Sequence, residues 1–143
     1  MKVVDIMTRS VVSVPMDDTL ERIHAIFEES KFHHVIVTDD GRVAGVVSDR
    51  DLLKNISPFI GRHLMEREQD TNTLSRKAHQ IMTRRPVVAR PDMSIPEAVT
   101  VLLKHRVSCL PVAGADRRVQ GILTWRDILS SSYPQPDENV AAA

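Results

Sequence analysis

Gly45-Val46-Val47-Ser48-Asp49-Arg50-Asp51-Leu52-Leu53 recurs 76 residues later as Gly121-Ile122-Leu123-Thr124-Trp125-Arg126-Asp127-Ile128-Leu129. Each stretch is a β-rich apolar run, then Ser/Thr-x-x-Asp, then an apolar pattern at helical spacing. That order is what a strand handing over to a capped helix requires. The similarity extends outward in both directions. Asp5-Ile6-Met7-Thr8 matches Gln80-Ile81-Met82-Thr83, Val11-Val12 matches Val87-Val88, and Pro15 matches Pro91. His34-Val35-Ile36-Val37 matches Cys109-Leu110-Pro111-Val112. The separation shifts only between 75 and 76 residues, and each slip falls in a loop, such as Arg9-Ser10 against Arg84-Arg85-Pro86. Loops tolerate insertions that packed elements do not. The chain is therefore a duplication.

Both copies carry the same series of elements. A short extended Val-Val segment leads to a turn at Pro15 or Pro91. A helix follows, with apolar residues at Leu20, Ile23 and Phe27 in the first copy and at Ile95, Ala98, Val99 and Leu102 in the second. Asp18-x-x-Glu21 and Ser94-x-x-Glu97 are capping boxes for these helices, the latter with Pro96 in its first turn. Two apolar runs then flank Asp40-Gly41, a hairpin signal, and their counterparts flank Gly114-Ala115-Asp116. Pro111 marks its run as an edge strand or a strand end. A final helix starts at Ser48 or Thr124. The fold class is α+β: two β-α-β-β-α repeats, each too small to cover both sides of its sheet, packed face to face about a pseudo-two-fold axis. Repeat one spans 1–54, a linker 55–78, repeat two 79–130, and 131–143 forms a disordered tail. In the linker Ile56, Phe59, Ile60, Leu64 and Met65 continue or lean on the preceding helix, Pro58 and Gly61 interrupt any single long helix, and Thr71-Asn72-Thr73 is a stop before a short helix leading to Ile81.

Composition narrows the function. Lys+Arg and Asp+Glu both number 19. This balance argues against nucleic-acid binding, which rests on a surplus of cations. A single cysteine, Cys109, excludes an intrachain disulfide and fits a reducing, cytoplasmic location. No apolar run reaches the ~18 residues of a membrane span, and no signal peptide is read. His33-His34 are adjacent on a strand entry and point to opposite faces, a poor arrangement for a metal. His24, His63, His79 and His105 make no ligand pair, and Cys109 reads as an inert core thiol. No catalytic constellation and no metal site is visible.

With its duplicated Gly-h-h-Ser/Thr-x-Arg-Asp, this architecture resembles the CBS domain family, named after cystathionine β-synthase, and the tandem pair called a Bateman module. The resemblance covers residues 3–54 and 79–130. It implies a regulatory module, not an enzyme, that requires no cofactor and binds an adenosine compound (AMP, ADP, ATP or S-adenosylmethionine) between its halves. By resemblance Asp51 with Ser48, and Asp127 with Thr124, meet the ribose. Arg50 and Arg126 meet phosphates, and main-chain groups from Thr8 to Val12 and from Thr83 to Val88 line the adenine pocket. The family also implies a homodimer and an effector protein as partners. A carboxylate can accept both hydroxyls of a cis-diol, yet Ser48-x-x-Asp51 and Thr124-x-x-Asp127 are equally plain capping boxes worth ~1 kcal/mol. The second copy, with Trp125 to stack on an adenine, reads as the better site. In the first, Asp49 places a negative charge beside any phosphate. The rival reading is a ligand-independent dimerisation or partner-docking module.

Overall fold

A computed structural model describes residues 1–58, 60 and 67–133. The first half comprises α1 (Val3–Ile6), β1 (Ser13–Pro15), α2 (Leu20–Glu29), β2 (His34–Asp39), β3 (Arg42–Ser48) and α3 (Asp49–Asn55). The second half begins with α4 (Glu68–Thr71), a 3-10 turn at Asn72–Ser75, α5 (Ala78–Ile81) and β4 (Thr83–Arg84). It continues with α6 (Ile95–His105), β5 (Cys109–Ala113), β6 (Val119–Thr124) and α7 (Trp125–Ser132). The α+β class and the duplicated order are as the sequence leads one to expect.

Local chemistry explains the elements. Asp40 (φ 52°) and Gly41 (φ 76°) form the two-residue link between β2 and β3. Two successive positive φ angles match the right-handed twist of the paired strands. At α6, Glu97 N–H donates to Ser94 Oγ (3.2 Å) while Ser94 N–H donates to Glu97 Oε2 (3.0 Å), closing the expected capping box. At α2 the cap is Thr19, whose Oγ1 accepts from Arg22 N–H, and not Asp18. Asp18 instead accepts from Thr19 N–H at 2.9 Å and pairs with Arg22.

The leading strands differ between the copies, for a covalent reason. Ile36 N–H donates to the Val12 carbonyl, and β1 then pairs in parallel with β2 from Ser13 to Pro15. In the second copy Pro111 stands where Ile36 does and has no N–H to give to the preceding segment. Neither Val-Val pair lies in a strand, since β1 starts only at Ser13, and in the second copy pairing shrinks further, to one parallel bridge, Ala89 with Val112. As an edge residue should, Pro111 keeps its missing donor on the side away from β6.

The sequence repeats are not the structural halves. Thr83-Arg84, which open the second repeat, pair with Val46-Gly45 of β3 in the first. Reciprocally, Thr8 bridges Ile122 of β6, exchanging two backbone hydrogen bonds of 2.9 Å. Each leading segment thus crosses to the other repeat. Val3 and Met7 are buried with Ala98, Leu102, Leu110, Leu123 and Ile128 of repeat two. Ala78 and Met82 are buried with Leu20, Ile23, Val35, Val47 and Leu52 of repeat one. Between these two outer cores lies a third, where Ile36, Val43 and Val46 meet Cys109, Ala113 and Ile122. That central layer is the face-to-face contact. A fully buried aliphatic side chain contributes roughly 1.5–3 kcal/mol, so all three layers hold the halves together.

Several boundaries differ from expectation. Residues 68–75 are helical without a stop at Thr71-Asn72-Thr73, because α4 passes directly into the 3-10 turn. Ser57 Oγ donates to Asp70 Oδ1 (2.7 Å) and Arg76 Nη1 to Asn55 Oδ1 (3.0 Å), so this segment is tied back to the end of α3. Ile56 packs on the first outer core. Helix α7 continues through Ser132, past the boundary placed at 130. The expectations for Phe59, Gly61, His63, Leu64 and Met65, and for the tail from residue 134 onward, lie outside the described residues.

Candidate functional site

The crossing of the leading segments builds two related clefts. In each, the strand-to-helix corner of one repeat faces the leading segment and the helix-to-strand loop of the other. The Asp127 cleft, about 320 Å³, is lined by Thr124, Trp125, Arg126 and Asp127 from repeat two. Thr8 and the Lys31–His34 loop supply its opposite wall. The Asp51 cleft, about 390 Å³, is lined by Ser48 and Asp51 on one side and by Thr83, Arg85, Pro86 and Val87 on another. The loop from His105 to Cys109 completes it. Both volumes fall in the range of small-molecule sites.

The capping role of the two aspartates is real. Asp51 Oδ2 accepts from Ser48 N–H (2.9 Å) while Asp51 N–H donates to Ser48 Oγ (3.0 Å). Asp127 Oδ2 accepts from Thr124 N–H (2.8 Å) and Thr124 Oγ1 (3.1 Å). The second oxygens differ. Asp127 Oδ1 accepts from Thr8 Oγ1 at 3.0 Å, across 119 residues of chain. Asp51 Oδ1 accepts no hydrogen bond among the described residues, although Thr83 is the counterpart of Thr8. A cap uses one carboxylate oxygen, so a cap and a cleft-facing acceptor coexist in one residue.

Of the residues singled out from sequence, Thr8, Thr124, Arg126 and Asp127 line one cleft, and Ser48, Asp51 and Thr83 the other. Three do not line either cleft. Arg50 is exposed on α3, Val12 spends its carbonyl on Ile36, and Val88 packs on the central core. Near the adenine position expected for Val88 the cleft presents Val87 instead. Asp49 also departs from expectation. Its Oδ2 lies 2.9 Å from His33 Nδ1, and it lines neither cleft, so it adds no negative wall to the Asp51 cleft. Burial pushes the Asp49 carboxyl up, but the His33 hydrogen bond, the Arg50 N–H and the neighbouring imidazoles outweigh it and lower its pKa.

Sequence reasoning passed over the helix-to-strand loops. His34 lines both clefts and its Nε2 lies 3.0 Å from Ser108 Oγ, which also lines both. Burial, opposed by the Asp49 charge, lowers the pKa of His34. Cys109 is buried, and burial with the nearby Asp51 charge pushes its thiol up to about 12. The signal for these loops was present in the repeat itself, because Lys31-x-x-His34 aligns with Arg106-x-x-Cys109. Each copy places a cation three residues before its central strand. Among the described residues no three His, Cys, Asp or Glu side chains come together as a metal site, and no helix is long and apolar enough to cross a membrane.

Comparison with known proteins agrees with this geometry. The chain is 27% identical to the uncharacterized protein MJ1426 of Methanocaldococcus jannaschii, over 92% of this chain and 90% of that one. It is 26% identical to inosine-5'-monophosphate dehydrogenase of Nitrosopumilus maritimus, covering 94% of this chain but only 25% of the dehydrogenase. The crystal structure of CBSX2 in complex with AMP superposes with a TM-score of 0.73 at 27% identity, over 91% of this chain and 94% of that one. The CBS domain matches twice, over residues 3–58 and 78–133, and the chain belongs to the CBS domain family as a tandem pair.

Proposed function

We propose that this CBS pair is a regulatory module that senses an adenosine compound in its inter-repeat clefts and signals by a change in the relative orientation of the repeats. The observation that carries this reading is the position of Asp51 and Asp127. Each caps its own helix and also lines a cleft walled by the other repeat. A ligand held between two repeats has differential affinity for their arrangements, which is the only way that binding shifts such an equilibrium. The AMP complex of CBSX2 supports an adenosine ligand. The lone cysteine supports a reducing, cytoplasmic setting.

Thermal unfolding in the presence of AMP, ADP, ATP, S-adenosylmethionine and NADH tests this. A ligand at about 100 times its Kd stabilises the fold by ~2.7 kcal/mol, and at least one adenosine compound produces that rise. No rise with any of them refutes sensing. Leu53 and Leu129, equivalent positions on α3 and α7, are 71% and 55% exposed. These leucines support a homodimer or a docked effector, and the same pair favours the rival reading if no ligand binds.

A further inference from the structure

The two clefts share a wall. Of the described residues that line them, only His34 and Ser108 are common to both, one from each repeat. These two side chains touch, with His34 Nε2 3.0 Å from Ser108 Oγ. The contact joins related places in the duplication, since His34 aligns with Cys109 and Ser108 immediately precedes it. It is the partition between the clefts, and a charge placed on it is felt on both sides.

An imidazole can carry such a charge, because histidine changes protonation near neutral pH. Burial keeps His34 neutral to a lower pH than an ordinary histidine; Asp49 and Asp51 on α3 oppose this, and His33 on its own loop adds to it. The contact with Ser108 survives protonation. A neutral ring nitrogen donates or accepts, an imidazolium donates, and a hydroxyl serves as either partner. The other groups facing the partition do not offer a shared switch. Lys31, Arg126 and Asp127 stand in one cleft and Arg85 and Arg106 in the other, all of types that titrate far from neutral pH. The buried Cys109 thiol, pushed up to about 12, stays neutral. His33 lies against Asp49 and lines only the Asp127 cleft, and His105 lines only the Asp51 cleft.

Resting on the sensing function proposed above, we infer that the His34–Ser108 contact makes the two clefts one proton-linked system. One proton taken up by His34 adds positive charge to both walls, so an anionic ligand entering either cleft favours the charged ring. Linkage is reciprocal: the protonated chain binds the anion more tightly, and a ligand in one cleft prepares the other. An opposite charge at close range favours the charged form of a titratable group by about tenfold or more. With a factor of about ten for each cleft and one proton between them, coupling of the two binding events peaks at about threefold. The peak lies where the singly occupied chain is half protonated, and the coupling vanishes well above and below that pH.

NMR titration of the His34 imidazole, assigned by its loss in His34→Gln, tests this together with calorimetry of the full chain, using AMP and adenosine as probes. Saturation with AMP is expected to raise the pH at which His34 loses its proton, and uncharged adenosine to leave it in place. On acidification the parent chain gains AMP affinity over His34→Gln, by about tenfold per cleft at full protonation. Comparison at each pH cancels the titration of the phosphate itself, which falls at about pH 6. Glutamine still partners the Ser108 hydroxyl but carries no titrating charge, so the threefold coupling is lost. Ser108→Ala, at an exposed position, keeps the titrating ring but frees it to turn, so the coupling falls while His34 still responds to AMP. An unchanged His34 titration in the AMP-saturated chain overturns the inference and leaves sensing intact. So does the same pH dependence and coupling in His34→Gln as in the parent. Absence of binding by both probes overturns the inference together with the sensing function.

Discussion

Gly121→Ala is a sharp probe of the crossed architecture, because the glycine sits where the amino-terminal segment passes over β6. A Cβ added there would meet the Thr8 carbonyl oxygen at 2.7 Å and Met7 Sδ at 2.9 Å. The nearer atom is backbone and cannot swing aside, so the whole segment must lift. Overpacking of this kind costs about 1–3 kcal/mol. Lifting also weakens the paired Thr8–Ile122 hydrogen bonds, each worth about 1 kcal/mol. The sum is about 2–4 kcal/mol, and for a chain of this size each kcal/mol lowers Tm by about 2–4 °C. Gly114→Ala is the control, since its nearest new contact is the mobile tip of Gln120 at 3.2 Å. Thermal unfolding of both variants beside the parent chain is the assay. Gly121→Ala should melt about 4–16 °C lower, and Gly114→Ala close to the parent. If Gly121→Ala melts within a degree of the parent, the amino-terminal segment does not lie across β6 and the crossing is wrong.

Two further outcomes follow from titration. Because burial lowers the pKa of His34, the unfolded chain binds more protons than the native one between that lowered value and the ordinary histidine pKa of about 6.5. Stability at His34 is therefore full above about pH 6.5 and falls as pH drops through that window. Tm measured from pH 7.5 to 5.5 should show a decline that His34→Gln reduces, and an identical slope in the variant would sink the argument. Cys109, buried with its thiol pushed up to about 12, is ionised in only about one molecule in ten thousand at pH 8. A disulfide dye at that pH should label the native chain slowly and the urea-unfolded chain within seconds, and rapid native labelling would contradict the burial.

What could be read from the residues was the duplicated unit and its strand-to-helix corners. These depend on local chemistry, namely turn residues, helix caps and periodic apolar positions, and local chemistry is written in adjacent letters. The partner of each corner was not legible. Gly45 and Gly121 hold the same place in the repeat, and each lies under the segment that precedes the other repeat. Nothing in a run of nine residues states that Met82-Thr83 cross one glycine and Met7-Thr8 the other. The orientation of Asp49 was missed for a similar reason. Its counterpart is Trp125, but whether its carboxylate faces the cleft or His33 depends on a residue sixteen positions earlier. The Val-Val segments read as strands, but neither is one; β1 starts only after Val12, and the missing N–H of Pro111 leaves the matching stretch of the second copy a single bridge.

The exchange of leading segments also ties each cleft to the contact between the halves. Thr8 is fixed to β6 by two backbone hydrogen bonds and to Asp127 by its hydroxyl. A ligand that draws the hydroxyl away acts on a segment whose Val3 and Met7 are part of the outer core of repeat two. In the Asp51 cleft the equivalent segment contributes Thr83, Arg85, Pro86 and Val87 to the wall while Met82 lies in the core of repeat one. Interleaved cores resist sliding, since separating the halves would expose Met7 and Met82 together with the central layer around Ile36 and Ile122. On the sensing function proposed above, a ligand spanning corner and segment would bear on how the two repeats sit.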